Sequence, residues 1–210
     1  MIAIIDYQAG NQTSVQRAFA HLGIETEISA DPARLAAADG LVFPGVGAAG
    51  QAMALLTRTG LDKAVRELAR SRPFLGICLG CQIMLEDSQE DGGVKTLGLI
   101  PGHNLRFDPT MREEDGRPIR IPHMGWNRIR PVRDSPLFDG LGGERQFYFV
   151  HSYYPRPDPA YVLGRTDYGL SFASVFGRDG LWAVQFHPEK SGEPGLRILS
   201  NFYRYCRGSE

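Results

Sequence analysis

Residues 73–82 read PFLGICLGCQ. The short apolar run Phe74–Ile77 directly after Pro73 is too short for a helix and fits a buried strand, and the glycines at 76 and 80 place a sharp turn between that strand and a helix over 79–86. Gly-x-Cys-x-Gly in this position is the pattern of a nucleophile elbow, where a strained turn holds the reactive side chain clear of the sheet and glycine at 76 and 80 leaves room for it. A thiol at 78 would face unpaired N–H groups and the positive end of the helix dipole, which favour the thiolate.

Strand followed by helix is half of a βαβ unit, and the residues upstream repeat the rhythm. MIAIID at 1–6 is apolar. The amphipathic stretch 12–22 is closed by Gly23, and IETEIS at 24–29 alternates with period two. Asp31-Pro32 starts a short helix by the cap-then-proline rule, GLVFPGVG at 40–47 is a buried strand ending in a glycine loop, and 51–71 is helical with a break at Gly60. After Gly92 the rhythm changes to short strands around 97–107, 117–131, 146–154, 161–166, 172–176 and 181–186, where antiparallel pairing is expected. The stretch 112–120 is expected to be a mobile loop. A last helix over 194–206 puts Leu196, Leu199, Tyr203 and Cys206 on one stripe, which assigns Cys206 to the core. The expected fold is a single α/β domain over 1–210: a central, mostly parallel twisted sheet flanked by helices, plus a smaller antiparallel region.

With 210 residues and a formal charge of −1, the chain can bury an ordinary core without disulfides or metal, and it offers no basic field to a nucleic acid or an anionic membrane. No stretch approaches the roughly 20 apolar residues of a membrane span, and the N-terminus goes straight into a strand, so a cytoplasmic protein is expected. Cys78, Cys81 and Cys206 are odd in number and show no disulfide spacing.

A nucleophilic thiol needs a base. His187-Pro188-Glu189 ends the apolar strand LWAVQF, and alternation puts 187 and 189 on one side, where the carboxylate could hold the imidazole. His123 and His151 are the competitors, each read as organising its own loop. Pro44-Gly45-Val46-Gly47 lies at the C-terminal edge of the preceding parallel strand and could donate backbone N–H groups from Val46 and Gly47 to an oxyanion, with the N–H of Leu79 as the other half. No GK[ST] follows this loop, so it is not a phosphate cradle. Two rival readings remain: Cys78-x-x-Cys81 as a redox or zinc site, and a catalytically silent regulatory subunit. The first leaves the PGVG and HPE segments unexplained.

The strand-GxCLGxQ, PGVG and QFHPE segments, in this order, resemble the class I glutamine amidotransferases over essentially the whole chain. IIDYQAGN at 4–11, IPHMGWN at 121–127 and FYFVHSYY at 147–154 resemble one branch of that family, in which the glutaminase serves a cyclase with a (β/α)₈ barrel that makes imidazole glycerol phosphate. The resemblance implies that Cys78 attacks glutamine, His187 moves protons and Glu189 orients it. It also implies that Gln82, Glu90, Ser152 and Tyr153 bind glutamine, that Asn11, Trp126, Asn127 and Lys190 meet the cyclase in a heterodimer, and that no cofactor or metal takes part. The branch usually has methionine or histidine at 81, so Cys81 is a departure. As neighbours on a first helical turn, Cys78 and Cys81 are expected to be able to form a reversible disulfide under peroxide.

Overall fold

A computed structural model describes all residues except 9, 10, 114, 144, 145, 209 and 210. β1 (Ile2–Ile5), α1 (Gln12–His21), β2 (Thr26–Ser29), α2 (Pro32–Ala37), β3 (Gly40–Gly45), α3 (Ala49–Thr59), α4 (Leu61–Leu68), β4 (Phe74–Cys78) and α5 (Leu79–Ile83) form the βαβ half. There follow β5 (Asp87–Ser88), β6 (Val94–Lys95), β7 (Gly102–Arg106), β8 (His123–Arg128), β9 (Arg130–Pro131), β10 (Gln146–His151), β11 (Tyr153–Pro157), β12 (Val162–Asp167), β13 (Ser171–Arg178), β14 (Leu181–Val184) and the terminal helix α6 (Gly192–Cys206). The main sheet runs β2-β1-β3-β4-β14-β13-β12-β9. It is parallel from β2 through β14 and antiparallel beyond. β8 and β10 make a two-stranded ribbon, and β11-β7-β5-β6 a four-stranded sheet.

Because successive strand residues point to opposite faces, the apolar runs of the central strands feed two cores. Ile2, Ile4, Leu75, Ile77, Trp182 and Val184 pack on one side with α1 and α6. Ala3, Ile5, Phe43, Phe74 and Ala183 pack on the other with α3, α4 and α5. Each fully buried Ile, Leu, Val or Phe among them contributes roughly 1.5–3 kcal/mol relative to exposure. Gly60 ends α3 in the left-handed conformation at φ 73, and α4 starts directly after it, which accounts for the helix break.

Several boundaries depart from the periodicity. α5 stops at Ile83, three residues short of the expected end. The backbone of Leu97, Gly98, Leu99 and Ile100 folds onto the carbonyls of Ile83, Leu85 and Met84, which terminates the helix by tertiary hydrogen bonding and leaves only 102–106 as a strand in that region. The expected strand over 117–131 is confined to β8 and β9, and the expected loop 112–120 closes through a bridge between Arg112 and Pro118; Glu114 lies outside the described residues. In α6 the fully buried residues are Gly195, Ile198, Leu199, Asn201 and Phe202; of the expected stripe Leu199 is fully buried, while Leu196, Tyr203 and Cys206 are partly buried and pack against the same core. β14 continues the parallel set although it comes late in the chain: its register against β4 pairs Val184 with Ile77 and brings the residues after both strands to one edge.

Candidate active site

Cys78 ends β4 with φ 53 and ψ −107, a conformation that costs a non-glycine residue about 1–3 kcal/mol and persists only where the surroundings enforce it. The flanking glycines are enforced by contacts other than the nucleophile's own Cβ. A Cβ at Gly80 would lie 1.8 Å from the Phe43 carbonyl oxygen of β3, and one at Gly76 would lie 2.4 Å from Met84 Sδ and 2.8 Å from the Gly80 carbonyl. Close approach of α5 to β3 thus seats the elbow against the loop that follows β3, with Gly45 paired to Cys78 in the sheet register.

His187 follows β14, fully buried, and its Nδ1 lies 2.7 Å from Glu189 Oε1. The carboxylate arrives through a tight turn over Pro188–Lys190, in place of the strand alternation expected from the sequence. Asn11 Nδ2 donates to the same Glu189 oxygen at 2.8 Å, so Asn11, expected at the partner face, directs its side chain to this pair. Burial lowers the His187 pKa, but the charge and proximity of Cys78 and the hydrogen bond to Glu189 overcome it and carry the value up to about 10. Burial raises the Glu189 pKa in turn, and His187 and Asn11 hold it below the ordinary carboxylate value. His187 Nε2 faces this thiol without an aligned hydrogen bond, as is common before substrate tightens a site.

Cys78, His187, Leu79, Val46, Gly47, Gln82, Glu90, Ser152 and Tyr153 all line one cavity of about 340 Å³, together with His151. The size suits an amino acid. Glu90 is half-buried and accepts from the Ala49 N–H at 2.7 Å, which excludes a solvated loop charge; burial raises its pKa, the Ala49 bond opposes this and Asp91 adds to it. Gln82 uses its amide within the wall, donating at 3.0 Å to the Tyr153 carbonyl and at 3.0 Å to Gln185 Oε1. Gln185, whose Nε2 lies 3.9 Å from the Cys78 sulfur, is not expected from the sequence; its one signal is its place two residues before His187. Tyr7 was not expected either. Its ring stacks on Phe43 at 4.9 Å and burial pushes its hydroxyl pKa up to about 12.

Trp126, Asn127 and Lys190, expected at the interface, are not among the residues that line the cavity. Trp126 is 57% exposed beside Met124 at 61%, and Lys190 sits over the Tyr148 ring at 5.9 Å, with Trp126 edge-on to that ring at 6.2 Å. Asn127 is partly buried in the same ribbon. Cys81 is fully buried in the core layer opposite that of Cys78, and burial holds its thiol well above the ordinary value. Both thiols are free in this structure, and no cluster of three or more metal-ligating side chains occurs among the described residues, which leaves the zinc reading without a ligand set.

The family model for class I glutamine amidotransferases matches residues 3–206. A protein named imidazole glycerol phosphate synthase subunit HisH from Desulfovibrio desulfuricans is 60% identical over 210 residues, covering 100% of this chain and 96% of its own. One of the same name from Nitratidesulfovibrio vulgaris is 58% identical, covering 98% of this chain and 97% of its own. Among solved structures, a putative GMP synthase component from Thermoplasma acidophilum superposes with a TM-score of 0.73 at 21% identity, over 99% of this chain and 94% of that one, a likeness of fold.

Proposed function

The chain belongs to the class I glutamine amidotransferases, and from that premise we propose that it is the glutaminase subunit of an imidazole glycerol phosphate synthase. It would hydrolyse glutamine and pass ammonia to a (β/α)₈-barrel cyclase that makes imidazole glycerol phosphate and an aminoimidazole carboxamide ribotide in histidine biosynthesis. The observation that carries the reading is the meeting of an elbow cysteine, a buried His187–Glu189 pair and the Val46–Gly47 loop in one cavity of amino-acid size.

In this mechanism the Cys78 sulfur attacks the carboxamide carbon and the carbonyl electrons move onto oxygen, where the Val46 or Gly47 N–H and the Leu79 N–H receive them. Collapse breaks the C–N bond as the His187 imidazolium protonates the nitrogen, and ammonia leaves a thioester. Water then gives a proton to His187 while its oxygen attacks, the C–S bond breaks, and glutamate departs with the thiolate and imidazolium restored. Glu90 receives the ammonium group of glutamine, and the Ser152–Tyr153 backbone forms the opposite wall. Ammonia released into water would be protonated and lost as a nucleophile, so a closed route into a partner is required. The exposed Met124 and Trp126, with Lys190 alongside, support a docking face on the β8–β10 ribbon. No helix among the described residues is long and apolar enough to cross a membrane.

The deciding experiment is Cys78→Ala in the complex co-purified with the cyclase. Glutamine-driven synthesis should vanish while synthesis from supplied ammonia continues. Surviving glutamine turnover refutes the reading.

A further inference from the structure

His123 and His151, each first read as organising its own loop, face one another across the β8–β10 ribbon and are buried. His123 Nδ1 and His151 Nε2 are 3.0 Å apart, and His151 Nδ1 is 2.7 Å from the Tyr153 carbonyl. Asn127 Nδ2 lies 3.2 Å from His123 Nε2 and 3.0 Å from the Asp167 carbonyl, while Asn127 Oδ1 accepts from the Arg128 N–H at 2.7 Å.

Both ends of this chain dictate the same proton order. A carbonyl only accepts, so His151 Nδ1 carries a hydrogen, and in a neutral ring Nε2 then accepts. That acceptor requires a hydrogen on His123 Nδ1, which leaves His123 Nε2 to accept from Asn127. Independently, the Asp167 carbonyl and the Arg128 N–H fix which way the Asn127 amide points, with its NH₂ toward His123. Burial holds both rings neutral, lowering His123 to about 4. It lowers His151 to about 3, helped by His123 and His187 and opposed by the Tyr153 bond. Stacking of His123 between Tyr168 at 4.0 Å and Phe149 at 4.9 Å keeps its ring plane in place.

We infer that His123 and His151 are positioning residues: a strut of fixed tautomers, running from Asn127 on the exposed ribbon to the Tyr153 carbonyl, that sets the Ser152–Tyr153 wall of the glutamine pocket. The inference rests on the glutaminase reading above. Tyr153 O receives His151 Nδ1–H and Gln82 Nε2–H together, which occupies both of its lone pairs, and the neighbouring Ser152 carbonyl accepts from the Phe107 N–H at 3.2 Å. The peptide planes of the wall are therefore set by hydrogen bonds from side chains, through a path whose outer end lies beside Trp126.

Two measurements test the strut. In the parent protein with its cyclase bound, ¹⁵N spectra of the imidazoles should show both rings neutral and protonated on Nδ1 at pH 7, although free neutral histidine prefers the hydrogen on Nε2. In kinetics, His151→Phe should raise the glutamine KM about tenfold with a smaller change in kcat. His151→Asn, whose amide can place a donor where Nδ1 stood, should recover most of that loss. An Nε2–H tautomer at either ring, or a parent-like KM in an active His151→Phe, overturns the strut. A parent that does not hydrolyse glutamine overturns the functional reading instead, and the tautomers still decide the strut.

Discussion

Gly80→Ala should damage stability and turnover together, because the added methyl meets backbone. Its Cβ would lie 1.8 Å from the Phe43 carbonyl oxygen and 2.8 Å from the Phe43 carbonyl carbon, and real Cβ atoms essentially never come closer than 3.0 Å. The end of β3 and the start of α5 must therefore part by about 1.2 Å, on the order of the misplacement that costs a hundredfold in rate. No rotamer change relieves the clash, since a carbonyl is fixed by its own strand, and overpacking of this kind costs roughly 1–3 kcal/mol. For a domain of this size that corresponds to a fall in Tm of roughly 2–12 °C. The displaced segment leads into Val46 and Gly47, so kcat for glutamine should fall about a hundredfold with a smaller change in KM. Gly143→Ala is the control, since a Cβ there meets nothing within 4 Å among the described residues and should change neither quantity. Thermal melts and glutamine hydrolysis on the same samples provide the comparison. A Gly80→Ala protein with the parent's Tm and kcat would refute the claim that close α5–β3 packing seats the elbow.

Glu90→Gln should raise the glutamine KM at least tenfold with little change in kcat, because the ammonium contact is made equally in ground and transition states; steady-state kinetics with an unmoved KM would return Glu90 to a purely structural bond with Ala49. Lys190→Glu should weaken binding to the cyclase, with the loss shrinking at high salt, and calorimetric titration giving the parent's affinity would remove Lys190 from the interface. NMR titration should find the His187 ring charged at pH 8 and deprotonating near 10, and Glu189→Gln should move that midpoint down because one of the two groups that raise it loses its charge. An unmoved midpoint would assign the shift to Cys78 alone. Peroxide followed by mass spectrometry should find no Cys78–Cys81 crosslink, given that Cys81 is fully buried and burial disfavours its thiolate.

Local sequence determined the elements whose signals are local. The apolar runs of β1, β3 and β4, the cap at Asp31, the helix break at Gly60 and the glycines around Cys78 depend on side-chain period and backbone freedom within a few residues, and each is where the pattern put it. His187 beside Glu189 was legible for the same reason, although a turn and not strand alternation joins them. Tertiary structure alone decided the rest. α5 ends early because residues 97–100 take the carbonyls of its last residue and of the two that follow, and β14 completes the parallel set beside β4, which delivers His187 to Cys78 from more than a hundred residues away. Which layer receives Cys81, which carboxylate oxygen Asn11 binds, and how His123 and His151 pair across β8 and β10 follow from contacts between segments distant in the chain. Such contacts leave no periodicity behind: a hydrogen bond between two strands constrains only the pair it joins, and the residues flanking either partner carry no trace of the other.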